Sequence, residues 1–222
     1  MKSKIDACNS SLGSEANVEH RTIIRGRTDR AVTFSRDGPE RGVIKNRRPK
    51  RREAALLREQ LQKLYRPTRV RILFVGEAPP ASGRFFYNAD SGLYRAVRDA
   101  FITAFPGLAG DNFLNSFRSL GCYLVDLCAE PVDRLERKPR RDACVKGETR
   151  LSRMLRRLRP RVVIAVVQSI GSNVRRSERR AKWSGLHVEL PYPGRWHHHR
   201  NAFVRALVSL FREMKCRTNR GH

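Results

Sequence analysis

Long apolar runs are missing from this chain of 222 residues. Its longest aliphatic run covers residues 162–167, whereas a helix that spans a bilayer takes about 20 apolar residues. The opening residues, MKSKIDACNSSLG, also have no apolar stretch of the kind that secretory signals contain. We therefore expect a cytoplasmic protein with no membrane segment.

Acidic residues are scarce beside basic ones. The chain has 21 Asp and Glu against 47 Lys and Arg, a net charge of +26, and thirty-eight of the basic residues are arginine. A guanidinium group binds phosphate through two hydrogen bonds and stacks on nucleic-acid bases. This excess predicts a polyanionic partner, and nucleic acid is the polyanion that we expect.

The cysteines do not form an even set. There are five of them, Cys8, Cys122, Cys128, Cys144 and Cys216, and an odd count in a chain without an export signal favours reduced thiols over a disulfide framework. The sequence also contains no Gly-x-Gly-x-x-Gly or Walker loop. Their absence argues against a nucleotide-binding α/β protein.

The length allows one ordinary domain with extensions. Residues 1–52 have few aromatics and end in a basic run, so we predict a disordered basic arm there. Apolar residues at helical spacing predict a leading helix over 53–66, and Pro67 ends that pattern. One domain over residues 67–215 and a tail at 216–222 complete the predicted organisation.

Short apolar runs alternate with helical patterns inside the predicted domain. Four runs have the length of strands, at residues 70–75, 122–127, 162–167 and 186–190. Helical spacing of apolar residues occurs at 93–101, 113–120, 144–158 and 203–211. This alternation predicts a three-layer α/β/α sandwich with a central four-stranded parallel sheet. In such sheets ligands bind at the carboxyl ends of the strands, here in the loops at 76–90, 126–132, 168–173 and 191–200.

The predicted loops hold an uncommon set of motifs: GEAPP at 76–80, GRFF at 83–86, SGLYRA at 91–96 and PYPG at 191–194. In that order they resemble the uracil-DNA glycosylase superfamily, above all its bacterial and archaeal branches with a GEAPG or GLAP motif. The resemblance covers residues 67–215. It implies an α/β/α fold, a base flipped into a pocket and hydrolysis of its N-glycosidic bond.

The resemblance assigns the stacking role to Phe86, with Phe85 as the second candidate. Side chains alternate in extended backbone, so one ring of this pair is expected to face the core while the other faces the pocket. At the edge of the base, Asp126 stands where the superfamily usually has Asn, and Gly76 is placed in the same base-binding set. An ionised carboxylate only accepts hydrogen bonds, so this difference either changes which base is preferred or reflects only an aspartate that ends a strand.

The candidate catalytic residues are Asp90 and Glu77. Some branches carry an Asp or Asn that activates water where this chain has Ala78. The branch with Ala there has an acidic residue near the Ser-Gly pair instead, and Asp90 lies one position from that site. Asp90 and Ser91 are equally suited to cap the helix that begins near Gly92, so catalysis and capping both remain open for Asp90. Glu77 is expected to line the pocket.

The last motif departs most from the family pattern. Leu190 replaces the histidine that donates to the departing base. We expect the residues around it to contact DNA, with a wedge supplied by the arginine or the tryptophan: Pro191, Pro193, Arg195, Trp196, His197 and His198. Consecutive histidines in extended backbone point in opposite directions and have no carboxylate beside them, so we assign them no metal.

No cofactor is expected. Cys128 and Cys144 have the spacing of two iron–sulfur ligands in one thermophilic branch, but that branch also uses an upstream Cys-x-x-Cys pair, and here only Cys8 precedes the domain. Four thiolates are the usual ligand set of such a cluster.

The sequence therefore supports a monofunctional DNA glycosylase, because no lysine lies in a pocket motif to form a Schiff base. The alternative is a catalytically inactive member that binds nucleic acid, which Ala78 and Leu190 favour. The expected partner is duplex or single-stranded DNA, and the expected state is a monomer.

Overall fold

Six helices and four strands form the part of the chain that a computed structural model describes, residues 47–108, 112–194 and 196–219. Side-chain burial is described from residue 52 to residue 214, apart from the same gaps. The helices are α1 Arg47–Leu64, α2 Gly92–Ala104, α3 Phe113–Ser119, α4 Arg137–Leu158, α5 Gly171–Ala181 and α6 His197–Asn219. The strands are β1 Ile72–Gly76, β2 Cys122–Asp126, β3 Val162–Ala165 and β4 Leu186–Glu189. Most of the predicted arm, Cys8 and Arg195 lie outside the described residues.

The strands form one parallel sheet in the order β2-β1-β3-β4. Every residue of β1 and of β3 is buried, because a central parallel strand is covered on both faces and must be apolar throughout. At the edge, β4 is only partly covered. The predicted fold class, an α/β/α sandwich around a four-stranded parallel sheet, is confirmed.

The helices lie on both faces of this sheet. The chain passes from β1 to β2 through α2 and α3, and then returns across the sheet through α4 and α5. Because such crossovers are right-handed, a reversal of direction places the two sets of helices on opposite faces. On one face Phe74 of β1 lies 5.3 Å, ring centre to ring centre, from Phe117 of α3 and 6.5 Å from Phe211 of α6. No helix in the described ranges is both long and apolar enough to cross a membrane.

Several boundaries differ from the predicted ones. The leading helix α1 begins at Arg47, inside the predicted arm, and α4 begins at Arg137 rather than near residue 144. The last helix α6 begins at His197, inside a predicted loop, and continues to Asn219, inside the predicted tail. In each case polar and basic residues extend a helix beyond its apolar positions, so the apolar spacing marks only the part that packs on the core.

The sequence analysis missed helix α5. It placed a loop over residues 168–173, whereas the chain makes a 3-10 turn at Gln168–Ile170 and then enters α5. Few residues of α5 are apolar, and its buried face is completed by Asn173, Ser177 and Glu178. A pattern of apolar residues cannot reveal a helix whose buried face is largely polar.

Candidate functional site

A cavity of about 460 Å³ opens at the carboxyl ends of β1, β2 and β3. Its position is the point where the strand order reverses, between β1 and β3, which is where open α/β sheets bind ligands. Its volume lies within the roughly 300–1,000 Å³ of small-molecule sites. The residues that line it and bear on function are Gly76, Glu77, Ala78, Arg84, Phe85, Phe86, Asp126, Asp133, Arg140 and Tyr192.

Gly76 and Asp126 are direct neighbours in the register of β1 and β2. A Cβ atom at position 76 would collide with Oδ1 of Asp126. Glycine at the end of β1 therefore gives the Asp126 side chain the space to lie across the strand end and reach the cavity.

The Asp126 carboxyl group is the most perturbed acid of the site. Burial raises its pKa from the ordinary 3.8 to about 7, although the positive charges of Arg150 and Arg58 oppose that shift. Arg150 donates to the backbone oxygen of Asp126 and, at 3.2 Å, to that of Leu127. No group among the described residues donates a hydrogen bond to the carboxyl oxygens of Asp126. This acid therefore has both its neutral and its ionised form available near neutral pH.

Glu77 lies in the cavity as a fixed carboxylate. Arg140 of α4 holds it through two hydrogen bonds, Nε to Oε1 at 2.6 Å and Nη2 to Oε2 at 2.5 Å. These bonds raise the pKa of the Arg140 guanidinium. The two residues are 63 positions apart in the chain, and no motif identified Arg140 as a site residue.

Phe85 and Phe86 both line the cavity and both are buried. Phe86 also belongs to the core, with ring centres 5.3 Å from Phe117 and 6.4 Å from Phe113. Phe85 is extended, and a 3-10 turn begins at Phe86. The strict alternation that we expected from extended backbone therefore does not apply, and no division into one core ring and one pocket ring results.

Asp90 is not among the residues that line the cavity. Its Oδ1 accepts a hydrogen bond from the backbone N–H of Phe85 at 2.7 Å, and its Oδ2 accepts one from Asn88 at 2.8 Å. The cap of α2 is Ser91, whose Oγ accepts from the N–H of Tyr94 at 3.1 Å. Asp90 thus closes the loop that carries Phe85, and a direct catalytic role for it stays a prediction.

The loop after β4 contributes Tyr192 to the cavity, with its side chain 55% exposed. The sequence analysis named the prolines on either side and missed this tyrosine, although an aromatic residue between two prolines was a usable signal. Leu190 is only 2% exposed, and its N–H donates to the backbone oxygen of Ala165 at 2.9 Å. Its side chain does not line the cavity.

The other predicted DNA contacts that the structure describes lie outside the cavity. Pro191 is partly buried and Pro193 is buried. Trp196 is 68% exposed, and His197 and His198 are exposed in the first turn of α6. Their exposure leaves them accessible to a partner, and their contact with DNA stays a prediction.

Cys128 and Cys144 face each other with their sulfur atoms 3.8 Å apart. Burial raises the pKa of the Cys128 thiol to about 12, which opposes formation of the thiolate that a metal needs. The third nearby group is Glu77, with Oε1 3.8 Å from the Cys144 sulfur, and Arg140 already holds it. This place thus offers two thiols, which do not fit a four-thiolate cluster, and the described part of the chain contains no group of three metal-ligating side chains.

The fold and the site together define an α/β/α protein with an aromatic and carboxyl-lined pocket at the carboxyl edge of its sheet. The chain belongs to the Uracil DNA glycosylase superfamily, whose family model matches residues 62–211. This match confirms the resemblance in the motifs. Proteins of this superfamily are generally DNA glycosylases and act on DNA, so the domain is DNA glycosylase-like. A search of curated proteins found none that matches the chain.

Proposed function

We propose that this protein is a monofunctional DNA glycosylase that flips a deaminated, uracil-type base into the cavity and hydrolyses its N-glycosidic bond. The observation that carries the proposal is the partly buried Asp126 carboxyl group, which lines an aromatic-walled cavity and accepts no hydrogen bond from the described residues. The carboxyl oxygens of Asp126 are therefore free to bond a ligand that enters the cavity, and the polar edge of a base is complementary to them.

The neutral form of Asp126 has the hydrogen-bonding capacity of an amide. Its carbonyl oxygen accepts from the N3–H of uracil, while its O–H donates to the neighbouring carbonyl. Hypoxanthine and xanthine present the same pair, an N1–H beside a carbonyl. The ionised form only accepts, so recognition of these bases requires the proton. In this way Asp126 takes the place of the asparagine that is usual in the superfamily.

The flipped base stacks on the wall that Phe85 and Phe86 form. Water attacks C1′ of the sugar, the electron pair of the glycosidic bond leaves with the base, and Glu77 accepts the proton of the water. Arg140 fixes both Glu77 oxygens, and a carboxylate keeps lone pairs free beyond those two hydrogen bonds. Asp90 acts as a positioning residue through the N–H of Phe85. None of the described residues that line the cavity is a lysine, which favours direct hydrolysis over a Schiff base.

A single-turnover excision assay tests this proposal on duplex and single-stranded oligonucleotides that carry uracil, hypoxanthine or xanthine. We expect Glu77→Gln to slow excision by about 10²–10⁴-fold, the usual contribution of a general base. We expect the wild-type rate to fall as the pH rises through about 7, whereas Asp126→Asn keeps its rate because the amide has no proton to lose. Asp142→Asn is the matched control, because Asp142 is exposed on α4 and lines neither cavity nor core.

A second function, an inactive member that binds nucleic acid through the same cleft, rests on Ala78 and Leu190. Ala78 lines the cavity without a polar group where some relatives carry an acid or amide, and Leu190 is buried where the usual donor is histidine. Binding to lesion-bearing duplex without release of any of the three bases would favour this function and refute the enzyme.

A further inference from the structure

A second cavity of about 510 Å³ lies next to the first, at the start of α4 and of α5. The two cavities share Glu77 and Arg140 as a common wall. The second one is lined mainly by cationic and polar side chains: Arg137, Arg140, Arg141, Arg176, Ser169, Ser172 and Asn173. Arg140 pairs with Glu77 and Arg176 with Glu148, so the charges of the other two guanidinium groups are not neutralised by a salt bridge of the described residues and give the cavity a positive potential.

Two of these arginines have no carboxylate partner. Within the described residues, neither Arg137 nor Arg141 forms a salt bridge. Both side chains are exposed on the first two turns of α4. Arg137 is the first residue of α4, where positive charge is unfavourable toward the helix dipole, so an anionic ligand beside it would relieve the repulsion.

A buried acid holds the opposite wall of this cavity in place. Glu148 of α4 is 0% exposed, and its Oε1 accepts from Nε of Arg176 and from Nδ2 of Asn173, each at 2.8 Å. Its Oε2 lies 3.5 Å from Nη2 of Arg180. Because only Nε of Arg176 is bonded to Glu148, the terminal nitrogens of that guanidinium remain available as donors toward the cavity.

We propose that this arginine-lined cavity binds a phosphodiester group of the DNA strand whose base enters the first cavity. The proposal rests on the proposed function only for the identity of that strand. Phosphate contacts come chiefly from arginine, from hydroxyl groups and from amides, which are the groups present here. Arg140 belongs to both cavities, so a phosphate bound beside it holds the strand next to the base pocket.

The first test compares two double variants of α4 in duplex binding at several salt concentrations. Arg137→Gln with Arg141→Gln removes two charges from the cavity. Arg153→Gln with Arg156→Gln removes two charges from exposed positions of the same helix that line neither cavity. One lost phosphate contact lowers the slope of log affinity against log salt by about 1. We expect that drop for the cavity pair and an unchanged slope for the control pair.

The second test replaces single phosphates near the lesion with uncharged methylphosphonates. We expect one linkage whose replacement weakens binding of the wild-type protein and of the control pair but leaves the cavity pair unaffected. Equal losses in both double variants, with no such linkage, would overturn the proposal in favour of general electrostatic attraction. The proposal would also be overturned by a second result. In it, inorganic phosphate at constant ionic strength raises the melting temperature of the wild type but not that of the cavity pair, while no methylphosphonate replacement distinguishes the cavity pair from the control pair. Both tests measure binding, so their outcome is independent of whether any base is excised.

Discussion

Replacing Asp126 with asparagine is expected to stabilise the folded protein at neutral and alkaline pH. Asp126→Asn keeps the size of the side chain and removes the charge. In the folded protein the pKa of Asp126 is about 7, against an ordinary 3.8. The folded state therefore binds more protons than the unfolded state between these two pH values, and the wild type loses stability as the pH rises through that window.

The size of this effect follows from the two pKa values. At about 1.36 kcal/mol per pKa unit, raising the pKa from 3.8 to about 7 corresponds to about 4 kcal/mol at most. Water in the cavity relaxes part of the field around the carboxylate, so we expect roughly 2 kcal/mol. For a chain of this size that is about 4–8 °C in melting temperature.

Thermal melting of both proteins from pH 4 to pH 9 measures the difference. We expect nearly equal melting temperatures at pH 4, a widening advantage of Asp126→Asn up to about pH 7, and a constant advantage above it. Asp142→Asn, at an exposed position of α4, is the control and is expected to follow the wild type at every pH. An advantage of Asp126→Asn that does not change with pH would refute the argument. A wild type that gains on the variant as the pH rises would show that the carboxylate is favoured in the fold.

Three further predictions concern the walls of the cavity and the start of the chain. Phe86→Ala is expected to cost about 3–5 kcal/mol of stability in denaturant melts, because Phe86 packs on core rings; an unfolding midpoint equal to that of the wild type would contradict this. Ser91→Ala is expected to cost about 1 kcal/mol as a lost helix cap, whereas Asp90→Asn should leave the melting temperature nearly unchanged and lower excision. Deleting residues 1–46 removes nine basic and six acidic residues. Because the net charge changes little, the salt slope of DNA binding should change little, and thermal unfolding should stay cooperative. A much smaller slope or a loss of cooperative unfolding would show that these residues are needed.

Local sequence was sufficient for the framework of the protein. Central parallel strands are covered on both faces and must be apolar, so the strand-length runs and the parallel sheet were predictable from residues 70–75 and their counterparts, whereas the order of the strands in the sheet was not. The rule that ligands bind at the carboxyl ends of strands then located the pocket in the GEAPP and GRFF loops. The resemblance in the motifs singled out Gly76, Glu77, Phe85, Phe86 and Asp126, and all five line the cavity.

Tertiary structure decided what these residues do to one another. The pairing of Glu77 with Arg140 joins positions far apart in the chain, and among the many arginines no local pattern distinguishes Arg140. The raised pKa of Asp126 arises from desolvation by the surrounding elements, which a strand-end aspartate does not reveal by its identity. Helix α5 buries polar residues against Glu148, so its apolar pattern was too weak to detect. Charge pairing, burial and polar packing depend on which segments meet, and only the folded chain determines that.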